Sequence, residues 1–271
     1  MIDLLRKELD REARPDLKIH RAREFLQVMT LKIIGDLGHF RHIAFQGGTA
    51  LRLLHGLNRF SEDLDFSLVK DEGFDPKAMM ERVAGQSLKW GLPAEVKLGA
   101  EKTVAGGWLK YPGLLQSLGL SPLKSQKLSI KLEIDLNPPR GGELETSLIS
   151  REFTFPVVNF TLPSMFATKL HACFYRRYLK GRDFYDLAWY LGRKIRPDYQ
   201  LLNNAIRQTE GKSPGIDDGN FIRFLTEKIG GCDLARAKKD VEPFLFDRGE
   251  LALFDRGLMI GLAERNYPPL H

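Results

Sequence analysis

Two cysteines in 271 residues, Cys173 and Cys232, are too few for a disulfide framework, and neither belongs to a C-x-x-C pair that could open a zinc site. No basic-then-apolar stretch opens the sequence. No apolar run approaches the ~20 residues needed to cross a bilayer, so a cytoplasmic protein is expected. Neither a Gly-Lys-Ser/Thr phosphate loop nor a G-x-G-x-x-G dinucleotide turn occurs. There is no internal repeat and no low-complexity segment. His42, His55 and His171 lack ligand spacing and read as structural.

What is present begins with charge. The chain carries a net +6, and the stretch 169–196 alone holds eight Lys/Arg against two Asp, an excess equal to that of the whole chain. Such a local positive field suits a polyanion such as a triphosphate or RNA, although a solvated helix face would give the same count. At this length the chain can bury one large core or two modest ones. Two parts are expected, 1–160 and 161–271.

Hydrophobic spacing sets the outline. Residues 1–40 predict helix, with Phe25, Val28, Met29 and Ile33 on one face. The stretch 42–45 predicts a short strand feeding Gly47-Gly48, and Thr49 is read as the cap of an apolar helix through Leu57. Leu64, Phe66 and Leu68 then alternate with Ser61, Asp63, Asp65 and Ser67. A helix is expected within 70–92 and two strands within 94–111. "KLSIKLEIDL", 127–136, alternates most strictly and stops at Asn137-Pro138-Pro139. From Pro163 the pattern is mostly helical. The expected class is α+β, a mixed sheet with flanking helices followed by a helical C-terminal half.

Asp63 and Asp65, two apart in a strand, place their Cβ atoms roughly 6–7 Å apart on one face. Carboxylates so placed repel unless a cation lies between them, and magnesium takes one or two carboxylates with phosphates filling other positions. Paired ions ~4 Å apart can clamp an in-line displacement, and a further carboxylate helps to hold them. Asp135, on the polar face of the second strand, is the candidate third ligand, with Glu133 as the alternative. Gly47 and Gly48, between a strand and a helix start, permit close approach of backbone N–H groups to phosphate, and Thr49 either caps the helix or bonds a phosphate. Ser61 shares the face of Asp63, where a phosphoryl group would repel an incoming triphosphate.

These residues resemble a known family. Gly47-Gly48-Thr49-Ala50-Leu51 followed by Arg59-Phe60-Ser61-Glu62-Asp63-Leu64-Asp65-Phe66 resembles the first motif of the AbiEii/AbiGii (MenT-like) nucleotidyltransferase toxins of bacterial toxin–antitoxin systems. "LEIDL" resembles their second motif, Lys169 within "MFATKLHACFYRRYLKGRDFYDL" the third, and Arg182-Asp183 with Asp186 the fourth. The resemblance implies a polymerase-β-like nucleotidyltransferase sheet and transfer of nucleotides from NTP with magnesium, manganese being the alternative ion. It implies the 3′ end of tRNA as acceptor, a block of translation, and an antitoxin protein encoded alongside. It assigns Asp63 and Asp65 to the metal, Lys169 to the triphosphate, and Asp186 or Asp183 to the nucleotide site. From the residues, Asp183 reads as an N-cap.

A helix from Pro163-Ser164 to Gly181 would align Lys169, Cys173, Arg176 and Lys180 on one stripe. Lys169 would face the phosphates, and Arg176, Arg177, Lys180 and Arg182 would extend the field toward an RNA backbone. Two rival readings stand beside this one. One is a non-catalytic nucleotide- or RNA-binding regulator. The other is an NTP-dependent protein kinase, suggested by Arg182-Asp183 but opposed by the absence of D-F-G and of a downstream Asn.

Overall fold

The computed structural model describes residues 1–99 and 103–268. The chain divides into two compact units, one comprising 1–56, 60–138 and 145–159, the other 57–59, 139–144 and 160–271.

The first unit is built on a seven-stranded mixed sheet in the order β3-β4-β5-β2-β1-β7-β6. Its strands are β1 (Ile43–Gln46), β2 (Asp63–Leu68), β3 (Glu95–Leu98), β4 (Val104–Tyr111), β5 (Leu128–Asp135), β6 (Leu144–Ser150) and β7 (Thr154–Phe160). The helices of this unit are α1 (Ile2–Asp10), α2 (Pro15–Asp36), α3 (Gly47–His55), α4 (Pro76–Lys89) and α5 (Leu114–Ser117). The two strands expected within 94–111 are β3 and β4; the link 100–102 lies outside the described residues.

At the centre, β2 pairs antiparallel with β1 and parallel with β5. Strict alternation makes the sheet two-faced. Leu64, Phe66, Ile130, Leu132, Ile134, Ala105 and Leu109 are all buried, and α2 and α4 pack on that side, with Met80 of α4 over Gly107. Asp63, Asp65, Lys131, Glu133 and Asp135 are half-buried on the opposite side. The apolar side anchors the strands by burial, which contributes about 1.5–3 kcal/mol per large side chain; the polar side is left for chemistry.

Local details depart from the sequence reading in three places here. The single helix expected over 1–40 is two, because Pro15 sits at the start of α2, where it has no N–H to lose, and Arg14 before it is extended. Thr49 is not the cap of α3. The helix begins at Gly47, two residues earlier, and the buried Thr49 hydroxyl donates to the Asp63 carbonyl. Ser61 lies ahead of β2, where its carbonyl accepts from Gln27 Nε2 at 3.1 Å.

His39, in a 3-10 turn before β1, is buried with Nε2 unpartnered. Burial, then the charges of Arg82, His42 and Arg41, lower its pKa to about 4. The native ring is therefore neutral at pH values where the unfolded ring, near 6.5, takes up a proton. This linkage removes stability as pH falls from 6.5 toward 4. In urea titrations at pH 7 and pH 4.5, His39→Leu should lose less stability between the two than the parent chain; an identical loss would contradict the assignment.

The second unit is helical: α6 (Leu162–Tyr175), α7 (Gly181–Arg193), α8 (Tyr199–Glu210), α9 (Phe221–Gly230), α10 (Leu234–Val241) and α11 (Arg256–Asn266). Its aromatic core stacks Phe166 on Tyr190 at 4.2 Å and sets Phe221 edge-on to Phe166, Tyr199 and Tyr267. The helix expected to run on to Gly181 ends instead at Tyr175. Arg176 turns extended, φ −74° and ψ 141°, and its guanidinium reaches Asp183 Oδ2 at 2.6 Å. Gly181 opens α7 rather than closing α6. Its N–H donates to Asp240 Oδ2 at 2.7 Å, and a Cβ there would lie 2.0 Å from the Ala237 carbonyl oxygen. The continuous stripe from Lys169 to Lys180 therefore does not form.

Candidate active site

In the first unit, β1 delivers the chain to the acid face. Gln46 is the register partner of Asp65, so Gly47, the next residue, arrives beside the Asp65 carboxylate. A Cβ on Gly47 would fall 2.4 Å from Asp65 Oδ2 and 2.9 Å from Asp65 Cβ, and its φ of +79° is left-handed. Glycine is thus required twice over, for conformation and for space. The result sets a carboxylate against the N-terminus of α3, whose first N–H groups have no acceptor within the helix and whose dipole favours negative charge. Gly56, at the other end of α3, also has a left-handed φ, +71°, but open space around it. Both Gly→Ala substitutions carry the left-handed strain of about 1–2 kcal/mol. Gly47→Ala should lower the melting temperature further, because Asp65 must move; equal losses would contradict the close approach.

The parallel ladder between β2 and β5 pairs Asp63 with Lys131, Asp65 with Glu133 and Ser67 with Asp135. Residues paired across a ladder point the same way, so Glu133 is the nearer acidic neighbour of Asp65, and Asp135 lies one step farther along. Asp135 Oδ1 accepts from Asn137 N at 3.0 Å, and burial raises its pKa. Among the described residues, no three or more His, Cys, Asp or Glu are grouped so as to hold a metal ion. Asp63 and Asp65 are two hard oxygen donors on one face, the donor type that a divalent ion takes when phosphate or water oxygens complete its shell. Gln46, also on this face, donates from Nε2 to Ser67 Oγ at 2.7 Å.

Lys131 was not singled out by its spacing. Its Nζ lies 2.7 Å from Glu133 Oε1 and above the Trp108 ring at 5.7 Å. Burial opposes its charge, but Glu133, then Asp63 and Asp65, raise its pKa.

The second unit holds a separate charged cluster. Asp186 is fully buried and receives Arg59 in a two-pronged bond, Nε and Nη2 each at 2.7 Å. Lys169, 8% exposed, donates to Asp183 at 2.7 Å and lies 2.8 Å from Asp186 Oδ2. Arg176 closes the cluster on Asp183. Burial alone would lower the pKa of Lys169, yet the two aspartates hold it well above the ordinary lysine value; Asp183 is lowered in turn by Lys169 and Arg176 against its own burial. Asp183 is not an N-cap: Lys180 stands at that position without a side-chain cap bond, and the Asp183 carboxylate is committed to cations. Arg59, 127 residues from its partner, was noted only as part of a motif.

These pairings consume much of the positive charge counted in 169–196. Lys169 and Arg176 are ion-paired within the cluster, Arg196 pairs with Asp218, and Arg182 and Arg193 lie over Phe244 and Trp189. Arg177 is exposed, and Lys180 is half-buried. No helix among the described residues is long and apolar enough to cross a membrane.

Two solved structures are similar. JHP933 from Helicobacter pylori matches at 22% identity and a TM-score of 0.54, over 91% of this chain and 92% of that one. A second H. pylori protein, named as an inferred nucleotidyltransferase, matches at 22% identity and a TM-score of 0.56, over 92% and 96%. At these identities the likeness is one of fold. No curated protein sequence matches the chain significantly. The model of the family described as nucleotidyl transferase AbiEii toxin, type IV toxin–antitoxin system, matches residues 31–258. With that match spanning most of its length, the chain belongs to the AbiEii nucleotidyltransferase toxin family.

Proposed function

We propose that the chain transfers a nucleotide from an NTP to an RNA acceptor, the 3′ end of tRNA, with a magnesium ion held by Asp63 and Asp65, and so blocks translation until a cognate antitoxin neutralises it. The observation that carries the reading is the Asp63–Asp65 pair on the polar side of β2 with Asp65 pressed against the glycine start of α3. Magnesium, when bound there, would offset charge on the phosphates. The chain's own part is positioning. The backbone N–H groups at Gly47 and Gly48 receive phosphate oxygens. The acceptor hydroxyl oxygen attacks the α-phosphorus in line and gives up its proton to solvent, the bond to the bridging oxygen breaks, and pyrophosphate leaves. Positioning and charge neutralisation would supply most of the rate.

In this reading Lys169 serves the triphosphate, the role that the resemblance of its motif implies. The cluster around it, three cations on two aspartates, keeps an excess of positive charge. Asp183 and Asp186 serve in this reading as positioning residues that hold Lys169 protonated and in place. Arg176, Arg177, Lys180 and Arg182 are assigned to the RNA backbone, Arg177 first because it is exposed. The test incubates the purified protein with total tRNA, magnesium and each α-labelled NTP in turn. Label in RNA is expected. Label in protein would favour the kinase, and no label the binding module.

A further inference from the structure

Two glycines stand side by side in β4, and packing explains one of them. A Cβ on Gly107 would lie 2.6 Å from Met80 Sδ, so that position is closed. A Cβ on Gly106 would meet nothing nearer than the Leu132 carbonyl oxygen at 3.7 Å, an ordinary contact, and its φ is not left-handed. Glycine inside a strand costs stability, and it often marks a place where a ligand comes close to the backbone. Gly106 faces the polar side of the sheet, in one row with Glu133 and Asp65.

The next residue on that side of β4 is Trp108, half-buried and in one row with Lys131 and Asp63. Lys131 Nζ lies over its ring at 5.7 Å. The exposed Lys97 is its register partner on β3, and Lys110 follows it on the same side of β4. A large aromatic ring among cations, beside bare backbone, has the make-up of a nucleobase platform, in which the ring stacks a base and the cations meet phosphates.

We propose that Trp108, with the open backbone at Gly106 beside it, seats the terminal base of the RNA acceptor. The inference deepens the proposed function and rests on its placement of the α-phosphate over Asp63 and Asp65.

The in-line requirement says which base this is. In the proposed reading pyrophosphate leaves on the Gly47 side, where β1 flanks β2. The attacking hydroxyl must then arrive from the opposite side, across β5. Trp108 lies in that direction, two strands from β2 and so about 10 Å from Asp63. That span leaves room for the hydroxyl, its ribose and then a base.

The test compares two RNA hairpins with a single-stranded 3′ overhang, one intact and one whose last nucleotide lacks its base but keeps its 3′ hydroxyl. Binding to the full chain is followed by fluorescence anisotropy without NTP. The parent should bind the intact hairpin about ten-fold more tightly than the abasic one. Trp108→Ala should bind the two equally, and Trp108→Phe should keep most of the preference. In the transfer reaction, Trp108→Ala should raise KM for the intact hairpin and leave KM for NTP and kcat as they are. Equal binding of the two hairpins by the parent, or a preference that survives in Trp108→Ala, would overturn the proposal. A rise in KM for NTP alone would also overturn it, since the stacked base would then be that of the NTP. If the parent transfers nucleotide but shows no preference, this inference alone fails. If the preference is present and lost in Trp108→Ala while the parent transfers no nucleotide, the platform stands and the transfer reading fails.

Discussion

Asp186→Asn is expected to lower the stability of the chain by about 3–5 kcal/mol, the cost of breaking a buried ion pair by removing one partner. The aspartate is wholly buried and accepts from Arg59 and Lys169, both nearly so. An amide of the same shape would leave these two cations sharing Asp183 as their nearby anion, and the two already repel. For a chain of this size the melting temperature should fall on the order of 10 °C. Arg59→Met combined with Asp186→Leu removes the charge pair altogether and should recover most of the loss, because apolar replacement of a buried pair is often neutral. A chain that melts like the parent with Asp186→Asn alone would show that the carboxylate is not the structural partner its bonds imply.

The second large effect falls on activity. Asp65→Asn should cut nucleotide incorporation by about 10³-fold or more, since a lost metal ligand removes several kcal/mol of charge stabilisation and each 1.36 kcal/mol is tenfold. Asp63→Asn should do the same. Neither should change thermal stability much, because both side chains are half-buried on the polar side and the apolar side of β2 is untouched. Retained incorporation in Asp65→Asn would contradict the assignment; a large fall in melting temperature would make the carboxylate structural.

The contrast between these two aspartates shows what could be read in advance. Alternation made β2 and β5 legible, because a period of two places Asp63 and Asp65 on one side whatever else the chain does. Gly47 was legible as a turn, but its close approach to Asp65 was not, since that depends on the antiparallel register of β1 against β2. Lys131 is not marked out by the alternation of β5, because the residue it meets across the sheet, Asp63, lies 68 positions earlier in the chain. Asp183 looked like a cap, as D-x-x-D at a helix start often is, and the ion pairs that claim it involve Lys169 and Arg176 on the preceding segment. The expected helix runs through Arg176 because no Gly or Pro follows Pro163 until Gly181; in the structure it ends at Tyr175 without a local breaker, where Arg176 turns extended and bonds Asp183. The split at Pro15 was available to the eye, since proline favours the first turn of a helix and disfavours helix before it.

The central claim is that a nucleotide leaves its triphosphate through attack at the α-phosphorus. It is tested most directly by giving the parent chain, total tRNA and magnesium one NTP labelled at either the α- or the γ-phosphate. The α-label should enter RNA while γ-label is released as pyrophosphate, and both processes should stop together in Asp65→Asn. Transfer of γ-label to RNA or to protein, with α-label left in free nucleotide, would contradict it.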